Sequence, residues 1–251
     1  MRKWLIELAV GLALCALATL VFRAFPALDF ATSGLFYAGE GGRFWLWQNE
    51  TLGLVRSIGE TIPWVVFGAV GSALVLKLLR PLRPMPIRPK AALFLVLTLA
   101  LGPGLIANQL KDNWGRPRPW MVQEFGGPLT YEKPWTISDQ CPKNCSFVSG
   151  EGATGFWLIA LLPFVPRPYR GRALAGILLA GILIGGARIA VGGHFLSDVV
   201  FAGFVTYGVV WLVYLVLYRL RPAALEDDVL EAELERIGLG LRRLCATLAR
   251  R

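Results

Sequence analysis

ALAGILLAGILIGGARIAVGGHFLSDVVFAGFVTYGVVWLVYLVLY, residues 173–218, sets two long apolar runs on either side of a short polar joint. Crossing a bilayer as helix takes about 20 mostly apolar residues. Ala173 to Ala190 and Leu196 to Tyr218 both suit that requirement. Outward from this pair, similar runs recur at about Leu5 to Val21, Ile62 to Leu79, Ala91 to Asn108 and Gly152 to Val165, making six. The expected fold class is therefore all-α, a polytopic membrane protein with six transmembrane helices. Composition agrees, because 55% hydrophobic and 17% charged residues are too apolar for an ordinary soluble domain. The first run follows Met1-Arg2-Lys3 as a signal peptide would, but it continues without a clear small-x-small cleavage site and reads as a retained helix. The shorter runs suffice if their ends continue as helix into the headgroups or if one sits tilted among its neighbours. Gly181 and Gly185 form a small-xxx-small step, a close-packing device.

Positive charge in short loops sets orientation, since such loops stay cytoplasmic. Arg2 and Lys3, then Arg80, Arg83, Arg88 and Lys90, then Arg167, Arg170 and Arg172, then Arg219 and Arg221 all fall on one side of a six-span layout. Both termini are expected in the cytoplasm. The opposite side receives Phe25 to Thr61, Gln109 to Gly150 and the turn Val191 to Phe195. The first of these, with Phe44, Trp45, Trp47 and Leu52, reads as an interfacial helix or as simple loop. The Pro-rich stretch from Arg80 to Pro89 reads as a stiff cytoplasmic connector.

Two domains are expected: a six-helix membrane domain, 1–221, and a cytoplasmic amphipathic helical tail, 222–251. Within the tail Glu226, Asp227 and Asp228 come early and Arg242, Arg243, Arg250 and Arg251 late, an order that suits a helix dipole. The net charge of +9 sits in loops and tail, so anionic lipid is the expected partner and nucleic acid is not. Cys141 and Cys145 lie together in a polar loop, as a local disulfide if that loop is oxidised or as two free thiols. A structural zinc site wants four Cys or His ligands in register, and the chain has a single histidine, so no metal site is expected.

Polar residues that scaffold does not explain occur in three segments at one membrane face. Lys111-Asp112-Asn113-Trp114-Gly115-Arg116-Pro117-Arg118-Pro119 follows the third run, and Cys145-Ser146-Phe147-Val148-Ser149-Gly150-Glu151 precedes the fourth. The third segment, after the fifth run, is Ala187 to Asp198. Lys111, Arg118 and Arg188 can clamp an anion together, with Arg offering a planar fork and Lys a point charge to phosphate. Arg116 either joins that clamp or faces headgroups. His194 and Asp198 are four apart, on one face of a helix beginning near Gly193, so the carboxylate can hold one imidazole nitrogen and free the other to attack phosphorus. Ser149 and Gly150 precede a helix whose first N–H groups are free to receive phosphate oxygens.

These segments resemble the signature of the type 2 phosphatidic acid phosphatase superfamily, which runs Lys, six residues, Arg-Pro; Pro-Ser-Gly-His; Ser-Arg, five residues, His, three residues, Asp. Lys111 to Arg118-Pro119 matches the first motif in full, and Arg188, His194 and Asp198 match the third, with Ala187 replacing its serine. Val148-Ser149-Gly150-Glu151 matches the second only in its middle. The resemblance implies phosphate held by Lys111, Arg118, Ser149, Gly150 and Arg188, a phosphohistidine on His194 oriented by Asp198, and no cofactor. It also implies a histidine where Glu151 stands, to protonate the leaving alcohol. A carboxyl group there either takes that acid role, contacts a substrate hydroxyl or an arginine, or is a plain helix-start acid.

The implied activity is hydrolysis of a phosphomonoester on a membrane lipid, in a bacterial inner membrane with the site facing the periplasm. Among the family's substrates the expectation is lipid A, with undecaprenyl pyrophosphate and phosphatidylglycerol phosphate as alternatives. A lipid phosphotransferase would use the same His194 intermediate, whereas a non-enzymatic lipid-binding or transport protein would keep the cations without needing His194.

Overall fold

A computed structural model describes residues 2–39 and 43–248; Arg250 and Arg251 of the tail lie outside them. The described residues are helical, joined by irregular loops that hold only two isolated bridges, Tyr37 with Phe44 and Val122 with Leu129. Backbone in hydrocarbon must satisfy its own hydrogen bonds, so the apolar runs fold as helices. These are α1 (Arg2–Ala24), α2 (Ala27–Gly34), α3 (Glu50–Leu79), α4 (Pro89–Leu99), α5 (Ala107–Asn113), α6 (Gly150–Trp157), α7 (Arg170–Ala190), α8 (Leu196–Tyr214) and α9 (Asp227–Leu248). A π-helical turn over Ala100–Ile106 joins α4 to α5, and it contains Pro103, whose missing N–H cannot sustain the regular ladder.

Among the described residues five helices are long and apolar enough to cross a membrane: Trp4–Ala24, Glu50–Leu79, Pro89–Asn113, Arg167–Ala190 and Leu196–Leu220. The remaining expected run, Gly152 to Val165, is a shorter piece. Its eight α-helical residues pass at Leu158 into a seven-residue 3-10 segment, Leu158–Phe164, which contains Pro163. Together they extend about 26 Å, just under the roughly 30 Å hydrocarbon thickness. This piece lies at the centre of the bundle, with Gly152, Ala153, Gly155, Trp157 and Ala160 buried. The indole N–H of Trp157 donates to Thr98 Oγ1 at 2.9 Å, which satisfies the one polar atom that its burial strands.

Small residues set the spacing there. A Cβ on Gly155 would come within 3.1 Å of Gly181 Cα, one on Gly181 within 2.4 Å of the Phe156 ring, and one on Gly185 within 2.3 Å of Val199. The Gly181 and Gly185 step therefore brings α7 against α6 and α8. Around this contact Phe94, Leu99, Trp157, Val209, Val210, Val213 and Leu217 form the main core. Leu12, Leu17 and Leu20 of α1, Trp64 and Val65 of α3, and Leu179 and Ile182 of α7 stay exposed, an apolar belt that suits a lipid environment.

Two elements differ from expectation. α3 begins at Glu50 and not near Ile62, because Asn49 caps it by accepting from Leu52 N at 3.0 Å and Arg56 pairs with Glu60 one turn on. The aromatic connector before it holds the short helix α2, and its other described residues are irregular. At the other end of the bundle α9 is docked: Lys77 pairs with Glu231, Lys90 Nζ lies 2.5 Å from Glu226, and Asp227 Oδ1 accepts from Lys90 N at 2.9 Å.

Candidate active site

The bundle brings the ends of α5, α6 and α7 around one cleft of about 910 Å³. Lys111, Arg118, Gly150, Glu151, Arg188 and Gly193 line it together with residues of the first turns of α3.

His194 follows α7 in a tight turn. Gly192 has φ +70°, and a Cβ there would meet the Phe44 ring at 2.4 Å, so glycine is required on both counts. A Cβ on Gly193 would come within 2.8 Å of Arg188 Nη2. The turn is tied back by Arg188 O, which accepts from Gly193 N at 2.8 Å and His194 N at 3.3 Å. His194 is fully buried and its Nδ1 lies 2.7 Å from the carbonyl oxygen of Ser146. A carbonyl only accepts, so Nδ1 carries the proton and Nε2 presents its lone pair. Nε2 has no hydrogen-bond partner among the described residues and faces Glu151 Oε2 at 3.7 Å. Burial pushes the imidazole pKa down to about 4, against the upward pull of Glu151, so the ring is neutral at ordinary pH.

The hold expected of Asp198 on the histidine is indirect. Its Oδ2 is 3.9 Å from Nδ1, beyond hydrogen-bond reach, and instead accepts from Ser146 Oγ at 2.5 Å and Phe195 N at 2.7 Å. It thereby fixes the two backbone segments that flank the ring. The other oxygen, Oδ1, pairs with Arg116.

Arg116 neither joins the clamp nor faces headgroups. It is fully buried, pairs with Asp198 and with Asp29 Oδ2 at 2.9 Å, and lies over the rings of Tyr131 and Phe195 at 5.3 and 4.8 Å. Desolvation draws its pKa down, but the two carboxylates outweigh that and the net shift is upward. Asp29 also accepts from Ser197 N at 2.8 Å, Ser197 Oγ at 2.6 Å and Tyr131 Oη at 2.9 Å. Asp29, Tyr131, Ser146 and Ser197 were not singled out by sequence. Only Asp29 carried a signal, as the one acid in the stretch Phe25 to Phe36.

Ser149 is also spent structurally. It is fully buried, and its Oγ caps α6 by accepting from Gly152 N at 3.1 Å. Gly150 does line the cleft, and a Cβ there would lie 3.4 Å from Lys111 Nζ. Arg118 is aimed by Asn144, whose carbonyl accepts from its Nε at 3.1 Å and its Nη2 at 2.7 Å. Desolvation lowers the Arg118 pKa, with Arg188 adding to the effect. Cys141 and Cys145 are joined as a disulfide that closes the loop holding Asn144. Asn144 N donates to Asp112 Oδ1 at 3.0 Å and Cys145 N to Lys111 O at 2.9 Å, so that loop is fastened to the end of α5. Glu151 sits among cations, with Oε1 3.1 Å from Arg188 Nε and 3.6 Å from Arg56 Nε. Arg56, on α3, is a further residue that sequence reasoning missed.

A cleft that gathers three cations beside a neutral imidazole with a free lone pair can bind an anion and attack it. Residues 91–222 match the model of the PAP2 superfamily. The chain belongs to the PAP2 superfamily. The superfamily segment includes every cation of the clamp and His194, whereas α3 with Arg56 precedes it. The chain is 37% identical over 220 residues to the lipid A 4'-phosphatase of Francisella tularensis subsp. novicida (strain U112), covering 85% of this chain and 96% of that protein. It is 35% identical over 225 residues to the lipid A 4'-phosphatase of Rhizobium leguminosarum, covering 83% and 91% respectively. A protein of the same name from Rhizobium etli is 34% identical over 221 residues, covering 83% of each. No solved structure matches this PAP2 superfamily chain.

Proposed function

We propose that this chain is a lipid A phosphatase of a bacterial inner membrane, crossing six times with both termini cytoplasmic and the cleft open to the periplasm. The membrane-spanning helices, the basic loops on one side and the names of the three relatives support this reading. The observation that carries it is the Nε2 of His194, without a hydrogen-bond partner among the described residues and 3.7 Å from the carboxylate of Glu151, which lines the cleft with Arg188, Lys111 and Arg118.

The substrate's phosphate binds with its oxygens on Lys111, Arg118, Arg188 and the free N–H groups at the start of α6. In the resting cleft the Glu151 carboxylate holds that position, bridging towards His194 and Arg188. The entering phosphate takes over Arg188, and the carboxylate shifts to Arg56. Nε2 then attacks phosphorus, the P–N bond forms as the bond to the lipid oxygen breaks, and water protonates the leaving alkoxide. In the second step the Glu151 carboxylate takes a proton from the water that cleaves the P–N bond of phosphohistidine. The side-chain cations neutralise the phosphoryl charge, so no metal or cofactor takes part.

The test is phosphate release by purified protein and its His194→Ala variant across lipid A, undecaprenyl pyrophosphate, phosphatidylglycerol phosphate and phosphatidic acid. Release from lipid A that His194→Ala abolishes is expected. Preference for another lipid would overturn the substrate, and undiminished release by His194→Ala would overturn the mechanism.

A further inference from the structure

The cations proposed to bind phosphate make up only part of the lining of the 910 Å³ cleft. Residues between 47 and 60, which precede the segment shared with the superfamily, and Trp120 line it as well. Trp47 and Trp120 stand together in that lining, ring centroids 6.1 Å apart and planes inclined at 77°, with 52% and 40% of their surfaces exposed. Glu50, Arg56 and Glu60 belong to the same lining.

Exposed tryptophan near a membrane is usually an interfacial anchor. Two contacts set these apart. Trp120 N donates to Gly192 O at 3.4 Å, and Phe44, three residues before Trp47, covers Gly192 in the turn that carries His194. Both indoles are thus held in register with the nucleophile. Trp45, by contrast, is 61% exposed, does not line the cleft, and donates its indole N–H to Leu35 O at 3.4 Å.

We infer that the Trp47 and Trp120 pair, with Glu50, Arg56 and Glu60, is a saccharide subsite that holds the sugar of the leaving group while its phosphate lies on Lys111, Arg118 and Arg188. The inference rests on the proposed lipid A activity and names the residues that would recognise its sugar. The C–H face of a pyranose ring is weakly positive and packs on the negative face of an indole. Its hydroxyls are met by the carboxylates and guanidinium beside it. A glycerol-linked phosphate offers neither ring face nor so many hydroxyls.

The test uses full-length His194→Ala protein in detergent, so that binding is read without turnover, with micellar lipid A and with phosphatidic acid, a lipid phosphomonoester that has no sugar. Trp47→Ala and Trp120→Ala should each weaken lipid A binding about tenfold, the order expected for one aromatic contact. Phosphatidic acid binding should change by less than about twofold, which also reports a folded cleft. Trp47→Phe should restore most lipid A binding, and Trp45→Ala should leave the preference between the lipids unchanged. Equal weakening for both lipids would mean interfacial anchoring and overturn the subsite, as would no weakening for either. Phosphate release by the unsubstituted chain separates the two readings. Release from lipid A with indifferent tryptophans removes the subsite alone. Selective loss of binding without release by the unsubstituted chain keeps the subsite and removes the phosphatase. Absence of any lipid A binding removes both.

Discussion

The side chain of His194 donates from Nδ1 to the backbone carbonyl of Ser146 across 2.7 Å. A backbone acceptor cannot titrate, so it fixes the tautomer at every pH at which the ring is neutral. Asp198 acts one bond further away, by holding the Ser146 hydroxyl and the Phe195 amide.

Asp198→Asn should therefore leave binding nearly intact and lower kcat by about 100-fold, as for other groups that orient a reactive histidine through neighbours. Steady-state kinetics on lipid A check this. A rise in KM with kcat unchanged would instead place Asp198 in contact with substrate.

The chain's single histidine makes its ionisation directly measurable. The imidazole ¹⁵N shift of labelled protein should titrate near the value of about 4 set chiefly by burial. Its folded pKa lies below the ordinary value of about 6.5, so the unfolded chain binds more protons between the two. The histidine's contribution to stability should be intact above about 6.5 and fall as pH drops towards 4, and nucleophilic competence should be lost in the same direction. A midpoint near 6.5 would contradict the buried, unpartnered Nε2.

Arg116→Met would leave Asp29 and Asp198 as buried carboxylates without their shared cation. Removing one partner of a buried ion pair costs about 3–5 kcal/mol, so a large drop in thermal unfolding temperature in detergent is expected. A normal unfolding temperature with only a raised KM would return Arg116 to the phosphate clamp.

Glu151→Gln separates base from acid. If the carboxylate activates water, the variant should form phosphohistidine at a near-normal rate and break it down about 100-fold more slowly, within the usual 10²–10⁴-fold range for acid–base catalysis. Rapid-quench measurement would then show phosphoenzyme accumulating. Slow formation without accumulation would assign Glu151 the acid role.

The residues that surround the cleft were legible because the chemistry needs particular side chains at particular gaps. Lys111, Arg118, Arg188, Glu151 and His194 meet as those gaps implied. The place of Arg116 is not legible in the same way, because an arginine between a glycine and a proline near a membrane face has the same local sequence whether it meets phosphate, headgroup or buried acid. Ser149 spends its hydroxyl as the cap of α6, a role that a serine before a helix takes in any protein and that its spacing does not distinguish from a phosphate contact.

Apolar periodicity and length by themselves determined that this chain is helical and membrane-spanning, since hydrocarbon leaves the backbone few alternatives. Motif spacing determined which cations and which histidine share one end of the bundle. Only the tertiary structure decided that Asp29, 87 residues before Arg116, neutralises it, that Ser146 holds His194, and that α3 brings Arg56 into the lining of the cleft. The reason is physical: burial and partner choice depend on how distant helices pack, and side chains that meet only through packing leave no periodic trace along the chain.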